Sequence, residues 1–118
     1  MLPCVFCVRV QRGEYDAEHP GFSFQPLNPV TPGHRLFVPA VHVADAAEDP
    51  AVTAEVYRAA AEYARRVGRP FNLITSAGPA ATQSVYHLHV HYVPRAEGDG
   101  LHLPWTNQRR AFRTPLES

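Results

Sequence analysis

From Tyr86 to Arg95 the chain reads Tyr-His-Leu-His-Val-His-Tyr-Val-Pro-Arg, a run with a strict period of two. A β-strand turns successive side chains to opposite faces. The run therefore predicts a strand with His87, His89 and His91 on one face, about 6–7 Å apart. Leu88, Val90 and Tyr92 would point the other way, toward a core. Imidazole changes charge near neutral pH and is the commonest metal ligand. Three on one face exceed what packing requires, so the function is sought there.

With 118 residues the chain suits a single domain, 1–118, with room for a core. The formal net charge is zero with the histidines neutral, so no overall field favours nucleic acid or a membrane surface. Arg109, Arg110 and Arg113 form a basic run near the C-terminus, which reads as a solvated tail. No stretch approaches the length of a membrane span, and the N-terminus lacks the charged start and long apolar middle of a signal peptide. The expected setting is the reducing cytoplasm.

Cys4 and Cys7 make a lone Cys-x-x-Cys pair, which has three readings: redox couple, half of a zinc site, or small buried residues. A redox couple is expected after a core strand, and only three residues precede Cys4. If the pair binds zinc, the remaining ligands must be histidines from elsewhere.

Phe22-Ser23-Phe24 alternates like the start of a strand, and Pro26–Gly33 reads as a loop punctuated by Pro26, Pro29, Pro32 and Gly33. Arg35–Val38 reads as a short strand stopped by Pro39. Asp49-Pro50 has the pattern of an N-cap followed by proline at the first helical position. A helix is expected from about Pro50 to Val67, stopped by Gly68, with Val52, Val56, Ala59, Tyr63 and Val67 on its buried stripe. Phe71–Thr75 reads as a further strand. The small-residue loop Ser76–Ser84 then feeds the histidine run and could bring backbone amides and hydroxyls to an anion. This order predicts an α+β domain with a mainly antiparallel sheet.

Gln83-Ser84-Val85-Tyr86-His87-Leu88-His89-Val90-His91-Tyr92-Val93-Pro94-Arg95 resembles the signature of the histidine-triad (HIT) family of nucleotide-binding proteins. Cys4-Val5-Phe6-Cys7 resembles the start of bacterial members. Asn28–Pro39 followed by His42 resembles their first loop and strand, and Gly98–Trp105 the segment after the triad. The resemblance implies a HIT-like α+β fold with a sheet of about five strands, one long and one short helix, and a homodimer. It also implies a nucleotide-binding hydrolase or nucleotidyl transferase acting at an α-phosphate. Its substrates would be nucleoside phosphoramidates, nucleotidyl anhydrides or dinucleoside polyphosphates. His89 matches the nucleophile, His91 a phosphate-site partner, and Gln83 and Ser84 donors to phosphate and leaving group; Ser76 falls at a position next to the phosphate, and Asn28 or Gln25 on the first loop is a candidate for contacts to the ribose. Cys4, Cys7, His42 and His87 match the ligands of a structural zinc, one per chain. His19, His34 and His102 remain surface or hydrogen-bonded histidines, with His34 close to the nucleotide loop.

The chain also departs from the family pattern. Pro26 stands where the family carries an aspartate that accepts from the ribose hydroxyls, and proline offers only its carbonyl. Ser76 replaces an asparagine. Thr82 replaces a glycine, and a β-branched residue tolerates fewer backbone conformations there. The phosphate chemistry reads as retained and the nucleoside side as altered. The competing expectation is a nucleotide-binding or dimeric interaction module with little turnover. No extended basic surface suggests a nucleic-acid substrate.

Overall fold

The computed structural model describes residues 3–106. Arg109, Arg110 and Arg113 lie outside the described residues. The elements are α1 (Val5–Gln11), β1 (Phe22–Phe24), β2 (Arg35–Val38), α2 (Pro50–Val67), β3 (Phe71–Ile74), a 3₁₀ turn at Pro79–Ala81, and β4 (Val90–Pro94). The strands form one antiparallel sheet in the order β1-β2-β4-β3. This is the expected α+β architecture, with four strands among the described residues rather than about five. One long and one short helix accompany them.

α2 starts and stops where its sequence signals place it. The Asp49 carboxylate accepts from the backbone N–H groups of Ala51 and Val52, at 3.2 and 3.5 Å, and Pro50 needs no partner for a missing N–H. Gly68 closes the helix in the left-handed region, its N–H donating to the Ala64 carbonyl. The buried stripe differs from the expected one. Val56, Ala60 and Ala64 are the fully buried positions, Val52, Ala59 and Tyr63 flank them, and Val67 is 41% exposed. Small side chains let the helix lie close to the sheet, and Phe37 and Tyr92 fill the layer from the other side. The Pro20–Gly21 turn comes equally near, because a Cβ on Gly21 would stand 2.8 Å from that of Ala59.

The sheet separates two apolar clusters. Against α2 lie Phe37, Val43, Leu88, Val90 and Tyr92. On the opposite face Phe24, Leu36 and Val38 pack with Phe6 of α1. Leu88, Val90 and Tyr92 are each buried, as the period of two requires.

The histidine run is a strand only in its second half. β4 begins at Val90, and residues 85–89 follow an irregular path. Their backbone groups are drawn away from the sheet: the Leu88 N–H donates to the Val43 carbonyl at 2.8 Å, and the Thr75 hydroxyl to the His89 carbonyl at 2.8 Å. With no ladder partner, this segment is free to turn His87 toward the N-terminus. No helix among the described residues is long and apolar enough to cross a membrane.

Candidate active site and metal-ligand cluster

The three histidines face three different environments. His87 is fully buried, and its Nε2–H donates to the Pro39 carbonyl at 2.9 Å. That bond leaves the Nδ1 lone pair directed at Cys4 Sγ (3.3 Å), Cys7 Sγ (3.4 Å) and His42 Nδ1 (3.2 Å). Cys7 Sγ in turn lies 3.3 Å from His42 Nδ1. Ligand atoms of all four residues fall within 4.8 Å of one another.

Around a tetrahedral zinc with two sulfur and two nitrogen ligands, neighbouring ligand atoms stand roughly 3.3–3.8 Å apart. The observed spacings agree with that to within a few tenths of an ångström. The chemistry of the donor set agrees as well, since two thiols and two imidazole lone pairs converge there. Without a metal, burial and the nearby Cys4 push the Cys7 thiol above its ordinary value. Cys4 caps α1, its sulfur accepting from the Cys7 N–H, so the helix holds both thiols in place. The N-terminal pair is thereby brought to His87, 80 and more residues away in sequence.

His89 is half-buried. Its Nδ1–H donates to the His87 carbonyl at 2.8 Å, which leaves the Nε2 lone pair free. Phe6 packs edge-on against its ring at 5.2 Å between centroids, and the His91 ring lies 5.1 Å away. The Thr75 hydroxyl holds the His89 carbonyl.

His91 is fixed by His34. The Val30 N–H donates to His34 Nδ1 at 3.1 Å, so a neutral His34 carries its hydrogen on Nε2. Nε2 then donates to His91 Nδ1 at 2.9 Å, and the hydrogen of His91 resides on its own Nε2 as a donor. Burial lowers the pKa of His34. Burial, then the neighbouring His89 and His34, lowers that of His91 from the ordinary 6.5 to about 4. Both rings are therefore neutral at pH 7, as this directed chain of hydrogen bonds requires.

A stability profile follows from His91. An unfolded histidine takes up a proton near pH 6.5, whereas folded His91 resists it until about pH 4. Stability from this residue is thus fully present above pH 6.5 and is lost as pH falls toward 4, because the unfolded chain binds more protons across that window. The urea midpoint should fall between pH 6.5 and 4, and the fall should be shallower in His91→Gln. An identical pH slope in parent and variant would contradict this assignment.

Gln83 is buried, and its amide group is fully engaged. Nε2 donates to the Ala44 and Val85 carbonyls at 2.7 and 3.1 Å, while Oε1 accepts from the Gly78 N–H at 2.8 Å. It holds the loop between β3 and the histidine run. Ser84, next to it, is exposed; Ser76 is half-buried and follows Thr75; Asn28 is exposed on the loop before His34. Thr82 is the only non-glycine residue with positive φ among the described residues, at +70°, a conformation costing a β-branched side chain roughly 1–2 kcal/mol. A groove of about 650 Å³ lies elsewhere, between α2 and the β1–β2 side of the sheet, with no histidine or cysteine in its walls.

Thr75 had no role in the sequence reading, and His34, expected as a surface or hydrogen-bonded histidine close to the nucleotide loop, was not expected to orient His91. The signal for His34 lies in the period of β2: counting back by two from the inward-facing Val38 and Leu36 places it on the histidine face. For Thr75 the primary structure holds no comparable signal, because its partner is a carbonyl 14 residues away.

Residues 18–98 match the HIT domain family profile. The chain belongs to the HIT domain family. The HIT match excludes α1 and both cysteines, which precede it. Protein hit of Bacillus subtilis is 32% identical over 115 residues, covering 86% of this chain and 78% of the relative. Adenylylsulfatase HINT3 of Arabidopsis thaliana is 29% identical and aligns with 98% of this chain, which spans 64% of that protein. Adenosine 5'-monophosphoramidase HNT1 of Saccharomyces cerevisiae is 28% identical, covering 92% of this chain and 73% of its own. Among solved structures, a HIT family hydrolase from Clostridium thermocellum superposes with a TM-score of 0.70 at 29% identity, over 87% of this chain and 99% of that one. A Zn-bound histidine triad protein from Mycobacterium smegmatis does so with a TM-score of 0.65 at 30% identity, over 85% and 80%.

Proposed function

We propose that this HIT domain, comprising residues 1–118, is a nucleotide hydrolase or nucleotidyl transferase. It acts at the α-phosphorus of nucleoside phosphoramidates, nucleotidyl anhydrides or dinucleoside polyphosphates. The observation that carries this reading is the hydrogen bond from His89 Nδ1 to the His87 carbonyl, which presents Nε2 as a free nucleophile. Relatives named as an adenylylsulfatase and an adenosine 5'-monophosphoramidase support the substrate class.

In the proposed sequence the Nε2 lone pair forms a bond to phosphorus while the bond to the leaving group breaks. The leaving group departs with the electron pair of the broken bond and takes up a proton from solvent. The His87 carbonyl steadies the positive charge that develops on the His89 ring. His91 Nε2–H and the Ser84 hydroxyl donate to the phosphoryl oxygens, where charge accumulates. Ser76 would add a donor beside the phosphate, and Asn28 a polar contact for the nucleoside. Gln83, its amide already satisfied, shapes the loop that presents Ser84. Water then opens the nucleotidyl-imidazole and restores the free ring.

Cys4, Cys7, His42 and His87 would hold one structural zinc per chain, a closed four-ligand site that stabilises without taking part in the reaction. The presence of zinc in a solved relative supports this, and a reducing cytoplasmic setting keeps the two thiols available. The outer edge of β3 is unpaired among the described residues, and Phe71 on it is 41% exposed. A homodimer formed across that edge would cover both.

The test is a rapid-quench incubation with adenylated and guanylated phosphoramidates and dinucleoside polyphosphates, followed by peptide mass spectrometry. The expected result is a nucleotidyl adduct on His89. Nucleotide binding with neither adduct nor turnover would favour the binding module instead.

A further inference from the structure

The group that remains attached to phosphorus during the reaction must lie on the sheet face beside His89 and His91. The aromatic rings there form a continuous path: His89 packs on Phe6 at 5.2 Å, and Phe6 on Phe24 at 5.5 Å. At its end the guanidinium of Arg9 lies over the Phe24 ring, 3.9 Å from the centroid. The loop that follows Phe24 contains no acidic residue from Gln25 through His34. It presents apolar side chains instead, with Leu27 92% and Val30 55% exposed. Arg9 forms no ion pair among the described residues. Of its five N–H donors, one is engaged, Nε to the Glu14 carbonyl at 3.3 Å.

A planar guanidinium held flat on an aromatic ring has its edge donors pre-organised for an oxyanion. The site therefore offers the retained group a cation and apolar surface, and the Gln25–His34 loop offers no carboxylate to accept from a ribose diol. We infer that Arg9 selects substrates whose retained nucleoside carries a second acidic group, a phosphate or carboxylate beyond the one at the reacting phosphorus. This inference rests on the phosphorus site proposed above and names the substrate class it serves. The same placement would suit a purely structural arginine, since Arg9 also lies in the last turn of α1, where a cation is favoured. Selectivity separates the two roles.

The experiment is calorimetric titration at low ionic strength with three probes. These are adenosine 5'-monophosphate, adenosine 3',5'-bisphosphate (second acid on the ribose) and adenylosuccinate (second acid on the base). In the parent, at least one diacid should bind about tenfold more tightly than the monophosphate, the gain expected of one charge-assisted contact. Arg9→Met should abolish that preference and leave monophosphate binding unchanged, and Arg9→Lys should restore part of it. Raising the salt concentration should shrink the preference. The arm that responds shows whether the acid sits on ribose or base.

Equal affinity for all three probes in the parent, or a preference that survives Arg9→Met, would overturn the inference. Weakening of all three by the same factor would overturn it too, as the mark of a structural residue. Failure of the phosphorus-site reading shows separately, as absence of the His89 adduct.

Discussion

Replacing His89 with alanine should lower kcat/KM at least about 10⁴-fold, the scale on which removal of a nucleophile acts when binding contacts remain. The change removes the one imidazole nitrogen that the network leaves unprotonated and unshared, while Phe6, His91 and Thr75 keep their remaining partners. Substrate affinity should change only a few-fold, because the donors assigned to the phosphate are on His91 and Ser84. The nucleotidyl adduct should vanish with the activity. Thermal stability should fall only slightly, since His89 is half-buried and its one side-chain hydrogen bond is to a carbonyl within the same segment. Single-turnover kinetics with a chromogenic phosphoramidate, alongside thermal melting, tests both halves of the expectation. Retention of turnover within tenfold of the parent would remove His89 from the nucleophile's role.

The second large effect is on stability. Metal analysis of protein purified without added metal should find about one zinc per chain, and Cys4→Ser should lose it. Structural zinc contributes folding free energy directly, because the unfolded chain holds no preformed site. Here the ligands come from the N-terminal helix, the loop after β2 and the histidine run. The variant should lose on the order of 3 kcal/mol or more, lowering Tm by roughly 10 °C. A strong chelator should bring the parent to the same Tm and leave the variant unmoved. A parent that melts identically with and without chelator, and carries no metal, would leave Cys4 and Cys7 as ordinary thiols.

Much of this molecule was legible in local signals. Asp49-Pro50 and Gly68 mark the two ends of α2, because caps act through bonds within a few residues of the helix terminus. The alternation of Leu88, Val90 and Tyr92 places them in the core even where the backbone leaves the sheet. The stripe on α2 was less legible. Periodicity finds the apolar arc, but whether Ala60 or Val67 lies at its centre depends on how close the sheet comes.

By itself the primary structure singled out the groups to which the proposed chemistry is assigned: a row of imidazoles at alternate positions, a thiol pair and a small-residue loop. Chain order and residue type suffice for that, since they set which groups exist and which faces they share locally. Only the tertiary structure divided the row. The Pro39 carbonyl, the bend before β4 and the N-terminal helix turn His87 to the cysteines. The His87 carbonyl fixes His89, and His34 fixes His91. Those assignments depend on which nitrogen keeps its hydrogen. That is decided by acceptors and donors brought in from distant parts of the chain, and spacing along a strand cannot show it.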